Sequence, residues 1–446
     1  MIDASRKLTL PQPFCDCTHH AVLDVSVYLG EGVLEDACLF IREDIPGQNA
    51  LLVTDNRLYG LFGERVVKIL GSCFSLETCI LHAEHQLAPD EPAVGRVLME
   101  VGPDTSFLVA LGSGTVNDIV RYVSSRTGLP YVSIGTAPSM DGYVSVVSAL
   151  IKGKAKINRP SACPKVGIYD TDIMKTAPEE MFFWGFGDIM GKIIARADWM
   201  LSHLVTGERI CPFCLELSGR AVDMCIQGVG EIRQRTAKGT RILTEALLLT
   251  GLAMLLNTDS RPAASNEHNM GHFWEMMKIR EGVPHPAHGE AVGVATLYCL
   301  DFYRMFFDQD FTFVDIDRLV GGRVLRGDRD MALRNLFGEE VAGEIIASNP
   351  GEPVDDLILR TRIENLVLHR ETLKGLASSL PGKETLMAFY KALGGKTSAL
   401  EIGIDPDLLK KSLLYAKDYR SRYTVFKTAE ELGMLHAVIE GVLSQP

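Results

Sequence analysis

From Val22 to about Pro178 the chain alternates short apolar runs with longer amphipathic segments. The runs 50–54, 107–111, 131–134 and 166–169 are apolar nearly throughout rather than at every second position. That pattern predicts strands buried on both faces. Between them, 58–70 and 117–127 carry helical spacing. Strands alternating with helices predict a parallel sheet covered on both sides. Beyond residue 178 strand-like runs become rare. Helices are predicted over 179–203, 215–227, 241–256, 267–280 and 289–306, with more to the end. The expected fold class is therefore an α/β N-terminal domain, residues 1–178, followed by an all-helical C-terminal domain, residues 179–446.

A chain of 446 residues is too long for one compact core and suits two domains. The net charge of −12 excludes general nucleic-acid binding, which draws its affinity from a basic surface. The most apolar stretch, 246–256, is shorter than the roughly 20 residues that span a bilayer, so a buried helix is expected and no membrane span. Residues 1–10 lack the apolar core of a secretory signal. Ten cysteines without such a signal read as reduced thiols in a cytoplasmic protein.

Candidate chemistry begins at Gly112, Ser113, Gly114, Thr115 and Val116, which follow a predicted strand and open a helix. Glycines let the backbone approach a phosphate, and a helix N-terminus favours anionic oxygens. The pattern is short of the common dinucleotide fingerprint, because Asn117 stands at the third glycine. Read alone, it suits a tight strand-to-helix turn equally well. Asp55 ends an earlier strand, where a carboxylate can accept from a ribose hydroxyl. Thr136, Ala137, Pro138 and Ser139, followed by Asp141, read as a loop at a strand's carboxyl edge, where open parallel sheets bind ligands, with an ordinary β-turn as the alternative.

The second half gathers His268, His272, His285 and His288, four of the eleven histidines. His268 and His272 are spaced to share one helix face. The glutamate that follows the first histidine in zinc proteases is replaced by Asn269, which disfavours a protease. Asp188 lies in an apolar helix, where an unpaired carboxylate is costly; a cap or ion-pair role fits it as well as metal ligation. Cys15, Cys17, His19 and His20 look like half of a zinc site, and Cys211 with Cys214 like another half. Each lacks a local partner, so small structural side chains are the expectation there.

Taken together, residues 112–118, 136–142, 185–188, 260–268 and 288–290 resemble the sn-glycerol-1-phosphate dehydrogenases, especially the bacterial AraM-like branch. These belong with the iron-containing alcohol dehydrogenases, glycerol dehydrogenase and dehydroquinate synthase. The resemblance covers residues 10–310. It implies a dehydroquinate synthase-like fold with an N-terminal dinucleotide-binding domain. Carried over motif by motif, it implies metal ligation by Asp188, His268 and His288. It implies substrate contacts at Asp141, Asp188 and His272, with Asp141 and His272 as the catalytic pair. Contacts to NAD(H) or NADP(H) fall on Asp55, 112–116, 136–139 and Ser145. One divalent ion, zinc or nickel, is implied. Ala264, Ser265 and Asn266 stand where the family usually carries a glycine. His285 has no assigned role.

The reaction so implied is reduction of dihydroxyacetone phosphate to sn-glycerol 1-phosphate, reversible, with the metal polarising the C2 carbonyl. The phosphorylated triose calls for cations, and Lys152, Lys154, Lys156, Arg159 and Lys192 are candidates, each also read as an ordinary solvated side chain. The expected assembly is a homo-oligomer, dimer or larger. The rivals are a glycerol or polyol dehydrogenase acting on an unphosphorylated substrate, a dehydroquinate synthase-like lyase, and a non-catalytic nucleotide-binding protein.

Overall fold

The computed structural model describes residues 6–9, 15, 17, 20–84, 87–153, 155–311 and 314–445. They form two compact units. The first comprises Met1–Ile189 and Glu216–Ser260; the second comprises Met190–Leu215 and Arg261–Pro446.

The first unit is built on a parallel sheet of six strands. Its strands are β1 (Ser26–Gly30), β2 (Asn49–Asp55), β3 (Ser75–Leu81), β4 (Phe107–Gly112), β5 (Tyr131–Gly135) and, after a separate antiparallel hairpin of β6 (Val147–Lys152) and β7 (Ala155–Pro160), β8 (Val166–Asp170). The order across the sheet is β1-β8-β5-β4-β2-β3. The apolar runs occupy the interior: β4, β5 and β8 are buried at every position. β3 lies at the edge and is largely exposed, so its sequence lacks the apolar run. One face of the sheet packs Leu52, Val109, Ile134 and Ile168 against Val33, Phe40, Val66 and Leu70.

The opposite face packs Val27, Leu29, Tyr143 and Tyr169 against Leu248 and Leu252. The two leucines come from a 21-residue helix, Ala237–Asn257. That helix is long and apolar enough to cross a membrane by composition, but 83 % of its most apolar window is buried. It is a core helix of this unit.

One expectation is corrected here. Cys38 and Cys73 are not free thiols: they are joined as a disulfide, with Cα atoms 6.2 Å apart. The two lie 35 residues apart in sequence, which hides their proximity.

Among its described residues the second unit is helical. Helix Asn266–Glu281 packs along helix His288–Phe307, and Phe302 of the latter stacks on Phe426 with ring centroids 3.7 Å apart. Helix Glu179–Thr206 is unbroken and contributes to both units. In chain order the helices used below are α1 (Gly114–Thr127), α2 (Glu179–Thr206), α3 (Ala237–Asn257), α4 (Asn266–Glu281) and α5 (His288–Phe307).

Candidate active site

In the first unit the carboxyl ends of neighbouring strands gather the dinucleotide candidates. Gly112 and Gly135 are register partners on β4 and β5, and β2 pairs beside β4. Ser113 is the N-cap of α1, yet its side chain caps nothing, so the first-turn N–H groups are not met from there. Asp55 ends β2, and its Oδ1 accepts the N–H groups of Arg57 and Leu58, both at 2.9 Å. That oxygen holds a helix start, and Oδ2 takes no part in it. Thr136, Ala137, Pro138 and Ser139 are buried. The Ser145 hydroxyl accepts the Val147 N–H at 3.0 Å and lies at the mouth of the β6–β7 hairpin.

The loop 136–142 is held by contacts that the sequence does not advertise. A Cβ on Gly185 of α2 would lie 2.0 Å from the Pro138 carbonyl oxygen, and one on Gly251 of α3 would lie 2.7 Å from that of Asp141. Both helices therefore run directly against the loop backbone, an approach only glycine allows. The buried Arg121 of α1 donates to the Val147 carbonyl at 2.9 Å, the Tyr143 carbonyl at 3.2 Å and the Gly142 carbonyl, while Asp118 pairs with it at 2.7 Å. Asn117, which replaces the third fingerprint glycine, is buried and donates to the same Tyr143 carbonyl at 3.4 Å. Asp141 is buried too, and its N–H donates to Asp188 Oδ2 at 3.0 Å.

In the second unit α4 and α5 bring three histidines together. Ring centroids are 5.4 Å apart for His268 and His288 and 4.9 Å for His272 and His288. Each imidazole is held by a buried carboxylate. His268 Nδ1 lies 2.7 Å from Glu267 Oε1, His288 Nδ1 3.1 Å from Glu275 Oε1, and His272 Nδ1 3.3 Å from Glu275 Oε2. A carboxylate accepts, so each Nδ1 carries the proton and each Nε2 keeps its lone pair for a ligand role. Gly191, one turn after Asp188 on α2, lets this packing close: a Cβ there would sit 2.7 Å from Val292 and 3.3 Å from both Glu267 and His268.

Donor atoms of His272, Glu275 and His288, all in the second unit, lie within 4.8 Å of one another. That proximity is the two imidazole–carboxylate hydrogen bonds themselves, and needs no ion. Asp188 is a buried carboxylate of the first unit's part of α2. One carboxylate and two carboxylate-backed imidazoles, the set the resemblance implies, are the donors a divalent metal takes. The residues present fit such an ion.

The N-terminus of α4 is fixed by Asp198. It accepts the Ser265 hydroxyl and the Tyr303 hydroxyl, both at 2.6 Å, and the Val425 N–H at 2.9 Å. Ser265 is the N-cap at φ −145°, an extended value that calls for no glycine. Burial pushes the Asp198 carboxyl up to about 6, against the pull of Ser265, Tyr303, Arg261 and the Val425 N–H. The folded protein therefore binds an extra proton at this site between roughly pH 4 and 6. Stability contributed by this group falls as pH rises through that window, by on the order of 3 kcal/mol in all. Asp198→Asn is expected to flatten the melting-temperature profile between pH 4 and 6. An unchanged slope would remove Asp198 as its source.

Other candidates fall elsewhere. His285 Nδ1 is 2.9 Å from the Pro286 carbonyl oxygen, as a bystander would be. Lys152, Lys156 and Arg159 lie on the β6–β7 hairpin, Lys192 is buried on α2, and Lys154 lies outside the described residues, as does His19. Cys15, Cys17 and His20 do converge within the first unit, with Cys15 Sγ and His20 Nε2 3.7 Å apart. They are a cluster rather than the scattered small side chains expected.

Sequence reasoning passed over Glu267, Glu275, Arg121 and Asp198. For Glu275 a signal was present: it follows His272 by three positions on a helix, which places the two on one face.

Residues 28–178 match the family described as iron-containing alcohol dehydrogenase. Over 422 residues the chain is 28 % identical to the glycerol-1-phosphate dehydrogenase [NAD(P)+] of Halalkalibacterium halodurans, covering 94 % of this chain and 95 % of that one. It is 30 % identical over 272 residues to the enzyme of the same name from Methanosarcina barkeri, covering 61 % and 74 %. Among solved structures, a probable glycerol dehydrogenase from Sinorhizobium meliloti 1021 superposes with a TM-score of 0.59 at 14 % identity, over 93 % and 97 % of the two chains. The chain belongs to the iron-containing alcohol dehydrogenase superfamily and is an oxidoreductase of that family, whose members use NAD(P) and a divalent metal. Within the superfamily its relatives over nearly the full length carry the name glycerol-1-phosphate dehydrogenase.

Proposed function

We propose that the chain catalyses the reversible reduction of dihydroxyacetone phosphate to sn-glycerol 1-phosphate with NADH or NADPH. The observation that carries this reading is the alignment of the chain almost end to end with proteins of that name, in a chain whose Asp188, His268 and His288 are the residue types a divalent metal takes. A divalent ion held by these three side chains, zinc or nickel on the resemblance, supplies Lewis acidity toward the C2 carbonyl oxygen.

The remaining work belongs to the chain. Glu267 and Glu275 fix the three imidazoles before substrate arrives, so little reorganisation is needed during reaction. His272 orients a substrate hydroxyl: as an imidazolium it gives a proton from Nε2 to the C2 oxygen during reduction, and as a neutral imidazole it takes that proton back at Nε2 in the reverse direction. The Asp141 N–H fixes the tilt of the Asp188 carboxylate through Oδ2. Asp141 offers its own carboxylate to a substrate hydroxyl. The turn 112–116 takes the cofactor's pyrophosphate on the α1 N–H groups, with Asp55, 136–139 and Ser145 beside it.

The test is oxidation of NADH and of NADPH after chelation, with metals returned one at a time. Turnover is expected with dihydroxyacetone phosphate and only after a metal is restored. Turnover of dihydroxyacetone alone would replace this reading with a polyol dehydrogenase. Product formation without net NADH change would replace it with a lyase.

A further inference from the structure

Several buried or half-buried cations of the second unit are paired with carboxylates. Lys417 is paired with Asp418 at 2.7 Å and Glu430 at 3.0 Å. Arg329 pairs with Asp418 at 3.0 Å, Arg362 with Glu431 at 2.7 Å and Arg261 with Glu208 at 3.0 Å. Lys383, which lines a 560 Å³ cavity, pairs with Asp301 at 2.8 Å. An acceptor close at hand offsets the cost of removing such a cation from water.

Arg420 differs from these. It is half-buried, and among the described residues no carboxylate lies within ion-pair distance of its guanidinium. Its guanidinium carbon lies 6.0 Å from the centre of the Tyr419 ring. Tyr419 in turn lies against His272, with ring centroids 5.9 Å apart. Burial pulls the pKa of Arg420 below that of an ordinary arginine, and Tyr419, Glu267 and Glu275 oppose that pull. Glu267 and Glu275 are the two carboxylates that hold the histidines. Neither is within contact distance, and both already accept from imidazoles. Arg420 is thus a fixed positive charge beside the histidine cluster with its donors uncommitted to any protein carboxylate. The five N–H donors of a guanidinium match two oxygens of a phosphate at once.

We propose that Arg420 is the residue that receives the phosphate group of the substrate, docking it beside His272. This deepens the reading above and rests on it for the identity of the substrate, though not for the anion site itself. The candidate cations of the sequence, on the β6–β7 hairpin and α2, are not required for it.

The test is calorimetric titration of the metal-loaded full chain with inorganic phosphate, alongside steady-state kinetics with dihydroxyacetone phosphate. In Arg420→Gln the affinity for inorganic phosphate is expected to weaken by about 10- to 100-fold, the loss of one charged, bidentate contact. The KM for dihydroxyacetone phosphate is expected to rise by a similar factor, with kcat changed much less. Metal content and melting temperature are measured on the same samples. Arg420→Lys keeps the charge but not the fork, and is expected to recover only part of the affinity.

Unchanged phosphate affinity in Arg420→Gln overturns the proposal, as does failure of the unmodified protein to bind phosphate at all. A fall in kcat with unchanged KM overturns it in favour of a structural role. If Arg420→Gln does not fold, unchanged phosphate affinity in Arg420→Lys overturns it. If the unmodified protein turns over only unphosphorylated ketones, the proposed function fails, and the phosphate titration still decides Arg420.

Discussion

His268→Ala is expected to lose bound metal and turnover together. His268 is one of the three proposed donors, with Asp188 and His288, and alanine leaves two. A Lewis acid contributes several kcal/mol of transition-state stabilisation. Its removal corresponds to a fall in kcat/KM of about 10³-fold or more. Metal content by mass spectrometry and turnover after chelation and add-back are the two measurements. Full activity with the metal gone would remove the ion from the mechanism. Retention of both would remove His268 from the ligand set.

Glu275→Gln is the more discriminating experiment, because it replaces no proposed ligand. Glu275 is fully buried and receives His288 on one oxygen and His272 on the other. Glutamine keeps the volume and supplies one acceptor and one donor, so it cannot accept from both imidazoles. One ring must turn or change its protonation. Loss of such a supporting contact typically costs about 10- to 100-fold in metal affinity. That is the expected weakening in a titration against a metal-buffering chelator, with a reduced kcat persisting at saturating metal, since His272 is disturbed as well. Unchanged affinity and unchanged kcat would show that the rings are oriented by packing alone.

Much of the fold was legible because burial on both faces leaves a plain mark. The runs 50–54, 107–111, 131–134 and 166–169 fall inside β2, β4, β5 and β8. The helices expected at 179–203, 241–256, 267–280 and 289–306 fall inside α2, α3, α4 and α5. β1 and β3 escaped notice for different reasons. β1 is five residues long, and β3 is an exposed edge strand whose polar positions look like a loop. The hairpin of β6 and β7 stands apart from the sheet and carries no continuous apolar run.

At the candidate site, the residues that the motifs marked were legible and the residues that hold them in place were not. Asp188, His268 and His288 stood out by chemistry and motif. Glu267 and Glu275 were given no role, because only tertiary packing buries them against the imidazoles. Arg420 lay beyond the reach of the motifs. A lone arginine in a polar stretch acquires meaning from what surrounds it, and its neighbours Tyr419 and His272 lie well over a hundred positions apart.

Arg121 gives the scaffold one property that a carboxylate or histidine could not. Three of its bonds end on backbone carbonyls of the segment that follows Asp141. Burial works against its charge, but Tyr131 and Asp118 outweigh that, and its pKa stands above that of an ordinary arginine. A guanidinium does not change charge anywhere near neutrality. The brace behind Asp141 therefore keeps the same strength across the pH range in which imidazoles gain and lose protons. Under the proposed mechanism a change of charge at the histidines leaves this brace untouched, and a pH–rate profile should report the reacting groups rather than a loosening frame.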